Sequence, residues 1–100
     1  MCGITGIVSL TSDQSVLEGI TAATKALEKR GPDDEDIFSE SNIAMGHRRL
    51  SIIDTQKAAN QPMSDPTGRY VIVFNGEFYN YKVYREMLQS KSVVFQTDSD

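Results

Sequence analysis

The sequence predicts an α+β fold in which a mixed or antiparallel sheet packs against helices, and three observations lead to this class. Two segments of the 100 residues carry apolar side chains at helical spacing. Several short runs of β-branched and aromatic residues lie around them. The two kinds of segment do not alternate regularly, which disfavours a parallel sheet built from βαβ units. A chain of this length is expected to form one domain with one modest core.

The first predicted helix lies between an N-terminal strand and a Gly-Pro stop. Ser15 followed by Glu18 fits a capping box, which places the start of the helix at Ser15. Gly31 and Pro32 are expected to end it. The side chains predicted to face the core recur at helical spacing, and they are Val16, Ile20, Ala23 and Leu27.

Short apolar runs predict the strands, and the polar runs between them predict loops. The predicted strands are residues 1–10, 37–39, 43–47, 50–53, 70–74 and 93–96. The run 70–74 is continuous in β-branched and aromatic residues, so it is expected to be buried on both faces. The acidic run 33–36 and the polar segment 57–68 are expected to be loops. A second helix is predicted from a cap at Asn80 to about Ser90, and its inward-facing side chains are expected to be Tyr84, Met87 and Leu88.

Composition and charge exclude several classes of protein. The formal net charge is −4, which disfavours nucleic acid as a partner, because phosphate contacts need a basic face. No apolar run approaches the roughly 18 residues of a membrane span, so no membrane interaction is expected. One cysteine and one histidine exclude an internal disulfide and disfavour a structural zinc site. The N-terminus has no basic and apolar signal region, which favours a cytoplasmic location.

Cys2 is the candidate nucleophile. If Met1 is removed, Cys2 carries both a thiol and a free α-amine on one residue. The amine can then take the thiol proton, directly or through one water, and no histidine is required. A cysteine can also stand at position two without any role, so Cys2 alone does not decide the function.

Asn75 and Gly76 are the candidate residues for stabilising an oxyanion. A thiolate that attacks an amide carbonyl needs two donors aimed at the developing negative charge. The side-chain amide of Asn75 and the backbone N–H of Gly76 can supply them, because glycine lets a ligand approach the backbone closely. Asn-Gly after a strand is also a common hairpin turn, and that alternative remains open.

Charged residues are candidates for binding a polar substrate. Arg48 or Arg49 could hold a carboxylate through two parallel hydrogen bonds, although either could be a surface charge. Glu77 and Asp100 could accept hydrogen bonds from a substrate ammonium, although each could simply be solvated. His47 could act as a general base, but a structural role is favoured because the sequence shows no titratable partner for it.

Six motifs occur in an order and spacing that resemble a known family. They are Met1-Cys2-Gly3-Ile4-x-Gly6, Arg30-Gly31-Pro32-Asp33, His47-x-Arg49-Leu50-Ser51-Ile52-x-Asp54, Gln61-Pro62-Met63, Asn75-Gly76-Glu77-x-Tyr79-Asn80 and Ser99-Asp100. The chain resembles the N-terminal glutaminase domain of the asparagine synthetases, a class II glutamine amidotransferase of the N-terminal nucleophile hydrolase fold. Related amidotransferases of sugar and purine pathways usually have a tryptophan in the segment that matches residues 49–52, and this chain has no tryptophan.

The resemblance implies a role for each matching residue. Cys2 would be the nucleophile, with its freed α-amine as the base, and Asn75 and Gly76 would form the oxyanion hole. The residues that would bind glutamine are Arg49, Ile52, Asn75, Glu77 and Asp100. The implied reaction is hydrolysis of the side-chain amide of L-glutamine to glutamate and ammonia, through a γ-glutamyl thioester on Cys2. It requires no metal or other cofactor.

The resemblance also implies parts that lie outside these residues. The family fold is a four-layer αββα sandwich, of which residues 1–100 would be the N-terminal portion of a type 2 glutamine amidotransferase domain. Such a portion is expected to leave a sheet edge and an apolar face uncovered, which would allow a homodimer. A C-terminal synthetase domain, which uses ATP and Mg, would receive the ammonia. The alternative is a catalytically silent domain that keeps the fold for regulation or docking.

Overall fold

The computed structural model describes residues 1–11, 13–52 and 56–100. Within them, helices and strands do not alternate regularly and all paired strands are antiparallel, in agreement with the predicted α+β class. The elements are β1 (Gly3–Val8), α1 (Gln14–Lys25), β2 (Asp34–Glu40), β3 (Ile43–Arg49), a 3-10 turn (Lys57–Ala59), β4 (Met63–Ser64), β5 (Val71–Ile72) and α2 (Tyr81–Ser90).

The larger sheet has β3 at its centre, with β1 and β2 antiparallel on either side. The register places Gly3 opposite Arg48, and Asp34 opposite Arg49. The prediction of a loop at 33–36 is therefore wrong from Asp34 onward. Acidic side chains are tolerated here because β2 is an edge strand, and because Glu35 forms an ion pair with Arg48 on the neighbouring strand at 2.6 Å.

Helix α1 begins one residue earlier than predicted and has a different cap. The Asp13 carboxylate accepts a hydrogen bond from the Ser15 backbone N–H at 2.9 Å, so Asp13 is the N-cap. Hydrogen bonds from the Ser15 hydroxyl and the Ser15 backbone lower the pKa of Asp13. The helix ends at Lys25, and residues 26–30 continue as tighter turns rather than as the α-helix predicted to reach Gly31.

The core lies between α1 and the larger sheet. Its buried side chains are Leu17, Ile20 and Ala44, against which Ile7 and Ile37 pack. Of the predicted stripe, Ile20 is buried and Val16 is exposed. The helix is rotated so that Thr24 faces the sheet. There the Thr24 and Thr5 hydroxyl oxygens lie 2.9 Å apart over Gly46.

The second half of the chain differs most from the prediction. β5 covers only Val71–Ile72, and Tyr70, Ile72 and Phe74 are exposed, so the run 70–74 is not buried on both faces. Leu50–Ile52 forms no strand, and residue 53 lies outside the described residues. Residues 93–96 form no strand either. Ser92 adopts a φ of 67°, and the Val93 N–H returns to the Leu88 carbonyl at 3.1 Å, which is typical of a helix C-terminus.

Helix α2 presents its apolar residues to solvent. Tyr84 and Met87 were predicted to face inward, but each is 45% exposed, and no residue of the helix is buried. The chain was predicted to leave an apolar face uncovered, and α2 is such a face in this structure. Across the ranges described above, no helix is long and apolar enough to span a membrane.

Candidate active site

One cavity of about 280 Å³ brings together candidate residues from distant parts of the chain. It lies where the start of β1, the end of β3, the segment after β5 and the last two residues meet. All seven candidates of the resemblance line it, namely Cys2, Arg49, Ile52, Asn75, Gly76, Glu77 and Asp100. The lining also includes His47, for which the sequence favoured a structural role over that of a general base. Three further lining residues had no catalytic or binding role assigned from the sequence, and they are Ala59, Gln61 and Tyr79.

The Cys2 thiol is half-buried and anchored to the chain just after β3. The Leu50 backbone N–H lies 3.4 Å from Sγ, and the Leu50 carbonyl lies 3.8 Å from it. The Arg30 Nε donates to the Cys2 carbonyl at 3.4 Å. Cys2 is thus held from two sides: Leu50, just after β3, contacts its sulfur, and Arg30, in the segment after α1, binds its carbonyl.

The strand end that precedes Asn75 is attached to the rest of the site through Phe74. The Phe74 N–H donates to the Gln61 side-chain oxygen, and the Phe74 carbonyl lies 3.2 Å from His47 Nε2. Gly76 follows at a crowded point, since a Cβ there would lie 3.0 Å from the tip of the Phe74 ring. These contacts fix the chain segment that brings Asn75 and Gly76 to the cavity that Cys2 also lines.

His47 is 1% exposed, and its contacts support the structural role favoured by the sequence. Burial lowers its pKa. The charge of Arg49 lowers it further, while the bond to the Phe74 carbonyl acts in the opposite direction. Because a carbonyl can only accept, Nε2 carries the proton of the neutral ring. Within the described part of the chain, Nδ1 has no hydrogen-bond partner.

Arg48 and Arg49 are both buried, at 8% and 7% exposure. The alternative that either is an exposed surface residue is therefore excluded. Arg48 is structural: its Nε donates to the Gly31 carbonyl at 2.8 Å, and its Nη1 pairs with Glu35. Arg49 lines the cavity, and its Nη1 donates to two uncharged oxygens. These are the Gln56 carbonyl at 2.8 Å and Asn60 Oδ1 at 2.6 Å.

Glu77 and Asp100 both line the cavity. Asp100 Oδ2 accepts from the Phe78 N–H at 2.7 Å, which ties the last residue to the segment that carries Glu77. Arg85 of α2 donates to the Thr97 and Ser99 carbonyls at 2.6 and 3.1 Å. These bonds fix the chain segment that leads to Asp100. The residues that line the cavity therefore include the buried Arg49 and two acidic residues in addition to Cys2.

Among the residues that the structure describes, no group of three or more His, Cys, Asp and Glu side chains is arranged to hold a metal ion.

Comparison with known protein families matches residues 1–100 of the chain to the glutamine amidotransferase domain. The chain belongs to this family. The resemblance found in the sequence motifs is thereby confirmed.

Curated relatives of this glutamine amidotransferase domain are named as asparagine synthetases. Asparagine synthetase (glutamine-hydrolyzing) 1 of Bacillus subtilis strain 168 is 41% identical over 105 residues, which cover the whole chain and 16% of that relative. Asparagine synthetase B (glutamine-hydrolyzing) of Escherichia coli K12 is 33% identical, again over the whole chain and over 18% of the relative. The chain therefore spans less than a fifth of the length of these two relatives.

Proposed function

We propose that this glutamine amidotransferase domain hydrolyses the side-chain amide of L-glutamine to glutamate and ammonia, with Cys2 as the nucleophile. The observation that carries the proposal is the single cavity at which the Cys2 thiol, the buried Arg49, the Asn75-Gly76 pair and two carboxylates meet. A thiol, two oxyanion donors, a cation and carboxylates are the groups that hydrolysis of an amino-acid amide needs. The fold that accompanies this chemistry would be that of the N-terminal nucleophile hydrolases.

The first half-reaction forms a thioester. Cleavage of the Met1–Cys2 bond frees the Cys2 α-amine, which takes the thiol proton. The thiolate attacks the amide carbon, and the oxygen of the tetrahedral intermediate receives hydrogen bonds from the Asn75 side chain and the Gly76 N–H. The C–N bond then breaks, and the leaving nitrogen takes the proton from the Cys2 ammonium and departs as ammonia.

The second half-reaction releases glutamate. A water molecule gives one proton to the Cys2 amine as its oxygen attacks the thioester carbonyl, and the same two donors stabilise the second oxyanion. The carbon–sulfur bond breaks, the sulfur recovers its proton from the amine, and glutamate leaves. The sequence of steps consumes one water and one glutamine for each glutamate and ammonia formed.

The charged residues that line the cavity support an α-amino acid as the substrate. Arg49 binds the α-carboxylate, and Glu77 and Asp100 bind the α-ammonium, with the main chain of Ile52 as a further contact. A buried guanidinium bonded to uncharged oxygens still favours an anion beside it. The names of the relatives, glutamine-hydrolyzing asparagine synthetases, support delivery of the ammonia to a synthetase domain that makes asparagine. The use of ATP and Mg by that domain is part of the proposal and rests on the family resemblance alone.

The test is the intact mass of the protein after incubation with a diazo-ketone analogue of L-glutamine. Cys2 is the single cysteine, so any thiol adduct identifies it. We expect loss of Met1, one adduct on Cys2, and equal amounts of glutamate and ammonia from glutamine. Cys2→Ala should form no adduct and hydrolyse no glutamine, whereas Asn42→Ala, an exposed amide in the β2–β3 turn, should match the unaltered protein.

Two results would overturn the proposal. Hydrolysis by Cys2→Ala at the rate of the unaltered protein would exclude Cys2 as the nucleophile. Glutamine binding without adduct or turnover, in protein whose Cys2 amine is shown by mass to be free, would instead identify a domain that keeps the fold for regulation or docking.

A further inference from the structure

Asn60 stands between two side chains of opposite charge that the sheet places side by side. Asp34 on β2 is directly opposite Arg49 on β3, so their side chains lie on the same face of the sheet. Asn60 Oδ1 accepts from Arg49 Nη1 at 2.6 Å, and Asn60 Nδ2 donates to Asp34 Oδ2. In residues 1–11, 13–52 and 56–100, the ion pairs within 4.0 Å both belong to Arg48 and neither to Arg49.

The two neighbours leave only one orientation for the Asn60 carboxamide. A guanidinium only donates hydrogen bonds, and an ionised carboxylate only accepts them. The carboxamide oxygen must therefore face Arg49 and the NH₂ group must face Asp34, because the flipped amide would oppose donor to donor and acceptor to acceptor. Asp34 thus determines which atom of Asn60 meets the guanidinium.

This arrangement holds the guanidinium without neutralising it. Its two contacts from Nη1 are to the uncharged oxygens of Asn60 and Gln56. Opposed side chains in an antiparallel pair have Cβ atoms about 4.5–5.5 Å apart, so Asp34 and Arg49 could form a direct ion pair if the amide were absent. Such a pair would compete with an anionic ligand for the same cation.

We propose that Asn60, oriented by Asp34, is a positioning residue that presents the charge of Arg49 to the α-carboxylate of the substrate. This inference rests on the proposed function of the cavity. It adds Asn60 and Asp34, which act through Arg49 and are not assigned a contact with glutamine. If Asn60 has this role, its replacement should slow the reaction of Cys2 only with reagents that carry an α-carboxylate. A residue that merely supports the fold around Cys2 would affect every reagent that reaches the thiol.

Two alkylating reagents separate these roles on the single thiol. The diazo-ketone analogue of L-glutamine carries an α-carboxylate, and iodoacetamide does not. We would measure the second-order rate constants for labelling of Cys2 in Asn60→Ala and Asn60→Asp, with Asn42→Ala as the matched control. We expect diazo-ketone labelling to slow by about tenfold or more in Asn60→Ala, which loses a hydrogen bond to a charged group. We expect slowing of about the same size in Asn60→Asp, because its carboxylate competes with the α-carboxylate of the reagent for Arg49. Iodoacetamide labelling should remain within about twofold in all three.

The Asn60→Asp variant tests the electrostatic part of the inference. It retains an acceptor oxygen beside Arg49 but adds a negative charge, so a role limited to hydrogen bonding would leave its labelling rate unchanged. That result, or equal slowing of both reagents in Asn60→Ala, would overturn the inference. Arg49→Ala separates it from the proposed function: if this variant is labelled by the diazo-ketone at the unaltered rate, the glutamine site itself is wrong. If Arg49→Ala slows labelling and the Asn60 variants do not, only the role of Asn60 is wrong.

Discussion

Replacing Gly46 by alanine should destabilise the protein strongly, because Gly46 sets the distance between α1 and the sheet. A Cβ at this position would lie 1.9 Å from Thr24 Oγ1, 2.6 Å from Thr5 Oγ1 and 3.0 Å from Thr24 Cβ. Thr24 is fully buried, and its hydroxyl already donates to the Ile20 carbonyl at 2.7 Å. Rotation of the hydroxyls would relieve the first two contacts but not the contact with Cβ, so the helix must move.

The magnitude follows from three contributions. Overpacking a close-packed site costs about 1–3 kcal/mol. Separating the Thr5 and Thr24 hydroxyls loses a hydrogen bond of about 1 kcal/mol. The lower entropy of the unfolded alanine chain offsets about 0.4–1 kcal/mol. We expect the free energy of unfolding to fall by about 2–3 kcal/mol, which corresponds to a Tm lower by about 10–20 °C for a domain of this size.

Urea unfolding followed by circular dichroism measures this change, with Gly19→Ala as the matched control. A Cβ at Gly19 would lie 3.7 Å from Ile7 Cδ1, an ordinary contact, and a glycine inside a helix costs about 0.5–1 kcal/mol relative to alanine. Gly19→Ala should therefore be neutral or stabilising. The reasoning is refuted if Gly46→Ala unfolds within about 0.5 kcal/mol of the unaltered protein, the size of an ordinary surface substitution.

Three further predictions concern the cavity. Arg49→Ala should raise the KM for glutamine by at least about tenfold, since a buried charged contact is worth about 2–5 kcal/mol; an unchanged KM in steady-state assays would remove Arg49 from the site. Asn75→Ala should lower kcat by about 10²–10³, as expected for one lost oxyanion donor, and full activity would contradict its role. Burial holds the pKa of His47 below its ordinary value of 6.5, so the unfolded chain takes up a proton at a higher pH than the native protein. The free energy of unfolding should therefore decrease as the pH falls below about 6.5, and in His47→Gln this part of the pH dependence should be absent.

The local signals of the sequence located the helices better than the strands. A helix such as α1 or α2 depends on contacts between residues three and four apart, and this spacing can be read from the sequence. A strand depends on a partner from elsewhere in the chain. The acidic residues from Asp34 onward are a strand because β3 lies beside them, and residues 93–96 are not a strand because they turn back toward α2.

The candidate site shows the same division. Residue types and the family resemblance together predicted Cys2, Arg49, Asn75 and the two carboxylates as candidates, because the chemistry of an amide hydrolysis restricts which side chains can take part. The motifs gave no sign of Asn60. Its contribution depends on the register that sets Asp34 opposite Arg49, and on the turn that brings the amide between them.

The sequence by itself therefore determined the family, and it predicted the kind of reaction and the residues that would perform it. Only the tertiary structure decided which charges are buried, what neutralises them and which groups meet at the cavity. The physical reason is that the reactivity of a side chain belongs to its residue type, whereas its solvation and its neighbours are set by contacts between segments far apart in the chain. Arg48 and Arg49 are adjacent and chemically identical, yet one is paired with carboxylates and the other is bonded to uncharged oxygens beside the thiol's cavity.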